Sequence, residues 1–292
     1  MVQLSPTVLR LLIANVVIFA LPFVLGGVAT ILGLGDQLMA LLPPDLASQG
    51  YESGVKSLIV KYLGLHNPES EDFMISQFLT AAFVHSDIGH LFGNMLGLMV
   101  FGPMLDYAVG AKRFLTFYLV TAVGAGAIYV ATNTIEISQM KSEAAEVMRS
   151  TTPDNLARFM SANDTQLYRS NLDWFRKFGK DEDKTEYIRE ARRYVTVKLQ
   201  QAINTPMVGA SGAIMGILMA FGLLFPNTEL VLLFPPIPIK AKFIVAGYMA
   251  YDIYRVIQNS PDDHVAHYAH LGGMIFGWIF VMYWRRNART FY

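Results

Sequence analysis

Six mostly apolar runs, near residues 8–32, 88–105, 114–135, 207–225, 241–258 and 265–284, alternate with polar connections along the chain. Runs of about 20 such residues cross a hydrocarbon core of about 30 Å as helices, because in lipid the backbone must satisfy its own hydrogen bonds. The pattern predicts an all-α polytopic membrane protein, a six-transmembrane-helix bundle. Its first run is longer than the apolar stretch of a signal peptide and lacks a small-residue cleavage site, so it reads as a membrane helix.

Two long polar stretches interrupt this pattern. Residues 35–83 contain short apolar pieces at 37–42 and 55–65, predicted to be helices lying in the outer interface. Residues 136–205 carry about half of the charged residues, nearly balanced in sign. Tyr187, Ala191, Val195 and Lys198 recur there at helical spacing, and Asp154 is a candidate helix cap. The chain therefore divides into a membrane part, 1–135, a mostly helical extracytoplasmic insert, 136–205, and a second membrane part, 206–292. The insert reads either as a soluble helical rest on the membrane domain or as a cap that recruits substrate.

Composition agrees with this division. Apolar residues make up 53% and charged residues 16% of the 292, against about 25% charge in soluble domains. The net charge of zero gives no general attraction to nucleic acid, and the lack of cysteine excludes disulfides and thiolate chemistry. Lys112, Arg113, Lys240, Lys242, Arg285, Arg286 and Arg289 flank the spans on one side. The positive-inside rule makes that side cytoplasmic, with both termini there.

The chemistry sits at the opposite ends of three spans. His90 and Asn94 lie four apart on one face of the second span, Ser211 lies a few residues into the fourth, and His270 near the start of the sixth. At 1.5 Å per residue all three levels fall on the order of 5–10 Å below the outer surface. Gly209, Gly212 and Gly216 around the serine, and Gly273 and Gly277 after His270, fit close helix packing by themselves. They equally allow Ser211 and His270 to touch, the histidine taking the hydroxyl proton. His90, Asn94 and the Ser211 amide would then meet the oxyanion. No acidic residue lies in the inner parts of spans two, four or six, so a dyad is expected. Asp252 and Arg255, three apart, read as an exposed or interfacial pair. His85 and His267 read as structural or water-retaining, His264 as interfacial and His66 as a surface residue. Histidines 264, 267 and 270 lack the spacing of a zinc-protease pair, and no metal or other cofactor is expected.

These motifs resemble those of rhomboid intramembrane serine proteases of the basic six-helix type. Gly209-Ala-Ser211-Gly212 matches the family's GxSG, Ala269-His270 through Gly273 and Gly277 its AHxxGxxxG, and His90 with Asn94 its HxxxN. The resemblance implies Ser211 as nucleophile, His270 as general base and acid, and an oxyanion hole of His90, Asn94 and the Ser211 amide. It also implies transmembrane protein substrates cut near the outer ends of their helices, and a setting in a lipid bilayer, for this type the bacterial inner membrane. An inactive rhomboid-like binding protein would share the fold. Three departures stand out: Ser76 and Gln77 replace a Trp-Arg pair of the first loop, and Met215 replaces a tyrosine four residues after the nucleophile.

Overall fold

The computed structural model describes residues 3–181, 184–231, 236–258, 260, 263 and 265–287. His264 and Arg289 fall outside them. Among the described residues the chain is a polytopic helical membrane bundle. Its first helix, α1 (Pro6–Ile31), is capped by Ser5, whose side chain accepts from the Val8 amide. Short helices follow in the first outer loop: α2 (Gly35–Met39), α3 (Pro44–Ala47), α4 (Tyr51–Leu63) and α5 (Gln77–Thr80), the last running into a 3-10 turn at Ala81–Phe83.

Helices α6 (Ile88–Val109) and α7 (Ala111–Arg149) are joined at Gly110 alone, whose φ of 86° is open to glycine at little steric cost. Helix α7 was expected to stop near residue 135. Its 39 residues instead span about 58 Å, nearly twice the hydrocarbon thickness. The same helix therefore leaves the membrane and becomes the first element of the insert.

Helices α8 (Pro153–Asn163), α9 (Thr165–Ser170), α10 (Leu172–Phe178) and α11 (Thr185–Asn204) complete the insert. They enclose a core of their own around Val147, Leu156, Phe159, Phe178, Ala191 and Val195. Thr152, not Asp154, caps α8 by accepting from the Asn155 amide, leaving Asp154 in the first turn. Asp164 caps α9 and pairs with Lys198 at 2.9 Å. Its carboxyl is held below the usual range: partial burial raises it, but bonds from Lys198 and the Leu167 amide outweigh that.

The chain re-enters the bundle with α12 (Ser211–Leu224). A small hairpin of β1 (Glu229–Val231) and β2 (Pro238–Lys240) leads to α13 (Ala241–Gln258), and α14 (His267–Asn287) follows. By length and composition α1, α6 and α7 can cross a membrane, and α12 is a shorter apolar helix. The bundle core lies where α1, α6, α7, α12 and α14 meet, around Leu98, Phe114, Phe117, Tyr118, Ile217 and Phe221. Large apolar side chains on the outside, including Val17, Phe92, Phe243, Ile257 and Trp278, are exposed. An apolar perimeter on this scale suits lipid contact.

Candidate active site

Ser211 is the first residue of α12 rather than a residue inside a longer span. Residues 207–210 are not helical, and the strand-like segment before the serine is pinned on both sides. Met207 exchanges two backbone hydrogen bonds with Leu65, at 2.8 and 2.9 Å, and the Gly209 amide donates to the Ala81 carbonyl at 2.9 Å. The first bond of α12 runs from Ile214 N–H to the Ala210 carbonyl. The amides at Ser211 and just after it therefore have no helical acceptor, and they point out of the positive end of the helix.

Gly209 serves a different purpose from helix packing. Its φ is +125°, and a Cβ there would lie 2.6 Å from His90 Nε2 and 3.7 Å from Asn94 Nδ2. The missing side chain leaves room for both groups beside the serine loop. Ser86 Oγ, 3.0 Å from His90 Nδ1 and 2.7 Å from Asp87 Oδ2, holds the imidazole from its other edge. Asp87 caps α6 by accepting from the His90 amide at 2.9 Å. Asn94 Nδ2 is buried without a protein partner. A buried amide donor left free next to open amides is poised for an anionic oxygen.

Glycines draw α12 and α14 together. A Cβ on Gly273 would lie 1.9 Å from the Gly212 carbonyl oxygen, one on Gly277 2.5 Å from that of Gly216, and one on Gly216 2.9 Å from that of Gly273. Backbone thus rests on backbone at two successive turns. Helix α7 completes the seam, with Ala125 against Gly212 and Thr121 against Gly216. This contact sets Ser211 and His270 at the facing ends of adjoining helices, and His270 is close enough to His90 for the two imidazoles to interact electrostatically. Ser211 Oγ and His270 are not hydrogen-bonded to each other. Such contacts are often loose before substrate arrives.

The expected pairing of Asp252 with Arg255 is not what forms. Helix α13 packs against α14 and turns Asp252 inward, where the residue is 1% exposed. Its Oδ1 lies 2.5 Å from His267 Nδ1 and 3.2 Å from His270 Nδ1. His267 Nε2 faces Asp263 Oδ2 at 3.0 Å, and Arg255 grips the same oxygen through Nε at 2.7 Å and through Nη2. The Asp263 carboxyl stays below its ordinary range: burial raises it, but the Val265 amide, Arg255 and His267 outweigh that. Helix α13 thus brings a carboxylate to His270 where the sequence led us to expect none. An ionisable residue inside an apolar run is itself a signal, but the nearby arginine offered it a simpler partner. Asp252, His267 and His270 each present a donor atom within 4.8 Å of the others, a set able to hold a metal ion. Here both histidine Nδ1 atoms face the one oxygen, Asp252 Oδ1.

The departures in the first loop and on α12 also have a structural account. Gln77 is fully buried; its Oε1 accepts from the amides of His66 at 3.3 Å and Met74 at 3.1 Å, and its Nε2 donates to the Asp72 carbonyl at 2.8 Å. A neutral amide therefore anchors the loop. Met215 packs with Leu218, Val245 and Met274. His66 is buried, not on the surface, with Nε2 2.9 Å from the Lys61 carbonyl oxygen. His85 is also buried, edge-on to His90 at 5.1 Å between ring centres, and lines a cavity of about 20 Å³ with Lys56 and Phe19. That volume suits a single water. Burial, and then His90, lower the His85 pKa to about 4.

Comparison with known proteins agrees with this geometry. A family model described as the Rhomboid domain matches residues 72–137 and 190–287, more than half of the chain, and skips most of the insert. The chain is 26% identical over 195 residues to "RHOMBOID-like protein 12, mitochondrial" of Arabidopsis thaliana, covering 67% of this chain and 42% of that protein. It is 26% identical over 221 residues to "Uncharacterized rhomboid protein P4H10.10, mitochondrial" of Schizosaccharomyces pombe, covering 72% and 52%. The chain thus spans about half the length of these relatives, and both are named mitochondrial, not bacterial. With the motif-bearing helices inside the matched segments and glycine-locked around one site, the chain belongs to the rhomboid family.

Proposed function

We propose that the chain is an intramembrane serine endopeptidase that cleaves transmembrane protein substrates. Ser211 Oγ attacks the scissile carbonyl while His270 takes its proton; the tetrahedral oxyanion faces the Ser211 amide, Asn94 Nδ2 and His90. Collapse transfers the proton to the leaving amine and leaves an acyl-serine. Water, deprotonated by the same imidazole, then releases the acid and restores the hydroxyl. The observation that carries this reading is the buried, unpartnered Asn94 amide next to a serine at an open helix N-terminus. Rhomboid membership supports protease-like function at a membrane.

The starts of α6, α12 and α14 and the end of the membrane part of α7 share one side of the bundle. The proposed site therefore opens on the face that bears the insert. The mitochondrial names of the relatives argue against carrying the bacterial inner membrane further. An integral membrane setting is retained.

The test is labelling by a fluorophosphonate or isocoumarin probe, with cleavage of a model transmembrane substrate in proteoliposomes. Wild-type protein labels and cleaves, whereas Ser211→Ala does neither while remaining folded. Labelling that persists in Ser211→Ala refutes the assignment. A folded wild type that neither labels nor cleaves favours a membrane-protein binding role.

A further inference from the structure

The Asp252 cluster reaches beyond a two-residue mechanism. Asp252 Oδ1 is shared by two imidazoles, at 2.5 Å from His267 Nδ1 and 3.2 Å from His270 Nδ1. A carboxylate only accepts, so each Nδ1 that bonds to it carries a hydrogen. In a neutral His270 that leaves Nε2 bare, as a base for Ser211 must be. Among the described residues no other hydrogen-bonding group holds the His270 ring.

His267 differs from its neighbour because both of its nitrogens face carboxylate oxygens, Asp252 on one side and Asp263 at 3.0 Å on the other. With both carboxylates ionised, both bonds form only if both nitrogens carry hydrogen, and His267 is then a cation between two anions. With Arg255 on the far side of Asp263, the chain Arg255, Asp263, His267, Asp252 alternates in sign and sums to zero. This matters for catalysis. An isolated buried carboxylate would be costly. A carboxylate already matched by His267 can direct His270 at less cost.

From this geometry we infer that Asp252 is a positioning residue for His270, held in place by the ion-paired chain through His267 to Asp263 and Arg255, so that the nucleophilic serine is served by a histidine of fixed tautomer. When Nε2 takes the proton from Ser211, the Nδ1–H already faces Asp252 and the new imidazolium needs no reorientation. No covalent bond to Asp252 forms at any step. The inference rests on the protease reading above and adds a third group from α13.

The experiment uses the full chain in proteoliposomes. Asp252→Asn keeps the shape but offers an NH₂ group that can donate to Nδ1, which would favour the hydrogen on Nε2. The expected result is a fall in kcat of at least about tenfold per folded enzyme, and no more than the roughly 10²–10⁴ that general-base catalysis supplies, with KM little changed. The rate of Ser211 labelling falls in parallel, and Asp252→Glu recovers part of the loss. Unchanged kcat and labelling in folded Asp252→Asn overturn the inference. So does a loss fully accounted for by a smaller folded fraction, with kcat per folded enzyme unchanged.

A second measurement does not depend on an Asp252 variant: nitrogen-15 histidine spectra of the wild type, with His270 assigned from its loss in His270→Gln. Hydrogen on Nδ1 of His270, and on both nitrogens of His267, supports the arrangement. Hydrogen on Nε2 alone of His270 overturns it. An inactive Ser211→Ala beside a fully active Asp252→Asn would refute this inference and leave the protease reading standing.

Discussion

Replacing Gly273 by alanine tests whether the glycine seam sets the site. The added Cβ would sit 1.9 Å from the Gly212 carbonyl oxygen and 2.8 Å from its carbon. Close carbon–oxygen contacts settle at about 3.3–3.6 Å, so the helices must part by on the order of 1.4 Å. The obstacle is backbone, which cannot rotate away as a side chain could. Overpacking of this kind costs about 1–3 kcal/mol, and the upper end is expected here. Displacing a reacting group by about 1 Å can cost about 100-fold in rate, and Gly212 is bonded directly to Ser211.

Gly277→Ala, 2.5 Å from the Gly216 carbonyl oxygen, should show the same effect more weakly, and Gly247→Ala, with nothing within 4 Å, should show none. Initial cleavage rates in proteoliposomes, divided by the folded fraction from thermal unfolding, check the order. If Gly273→Ala unfolds and cleaves like Gly247→Ala, the close-contact account of the site is wrong.

Two further predictions concern the groups around the site. Gln77→Ala leaves the His66 and Met74 amides and the Asp72 carbonyl without their partner. At about 1–3 kcal/mol for each buried group that stays unsatisfied, the loop should loosen by a few kcal/mol, read as faster hydrogen exchange over 64–77; unchanged exchange would refute the anchoring role. His85, with its pKa lowered to about 4 by burial and then by His90, is neutral in the folded chain at pH 5–8. Between pH 6.5 and 4 the unfolded chain binds a proton that the folded chain refuses, so stability is full above the unfolded value and falls as pH drops, by on the order of 3 kcal/mol across the window. His85→Gln should flatten that part of the unfolding profile, and identical slopes in the two proteins would contradict the burial effect.

Much of this molecule was legible in the order of its residues. The apolar runs determined the helices because a backbone in lipid has few alternatives to helix. The motif spacings placed His90 and Asn94 on one face and brought the glycines after His270 into step with those after Ser211. Helical periodicity likewise marked Ala191 and Val195 as one face of α11. These are local properties, set by the 3.6-residue turn and by hydrophobic length.

What the sequence could not decide depended on which helix faces which. Periodicity places Asp252 on a helix but does not say that α13 turns it toward α14, so a local partner, Arg255, looked sufficient. Gln77 gave no hint that three backbone groups of its own loop would close around it. The continuation of α7 into the insert was hidden because helical backbone tolerates both lipid and water, and polarity marks only where the membrane ends. Gly209 read as part of a packing helix because the run of apolar residues passes through it without a break. Only the tertiary structure could show that α12 begins at Ser211 and that the gap left by Gly209 belongs to His90, since close approach between distant segments is a property of the packed bundle.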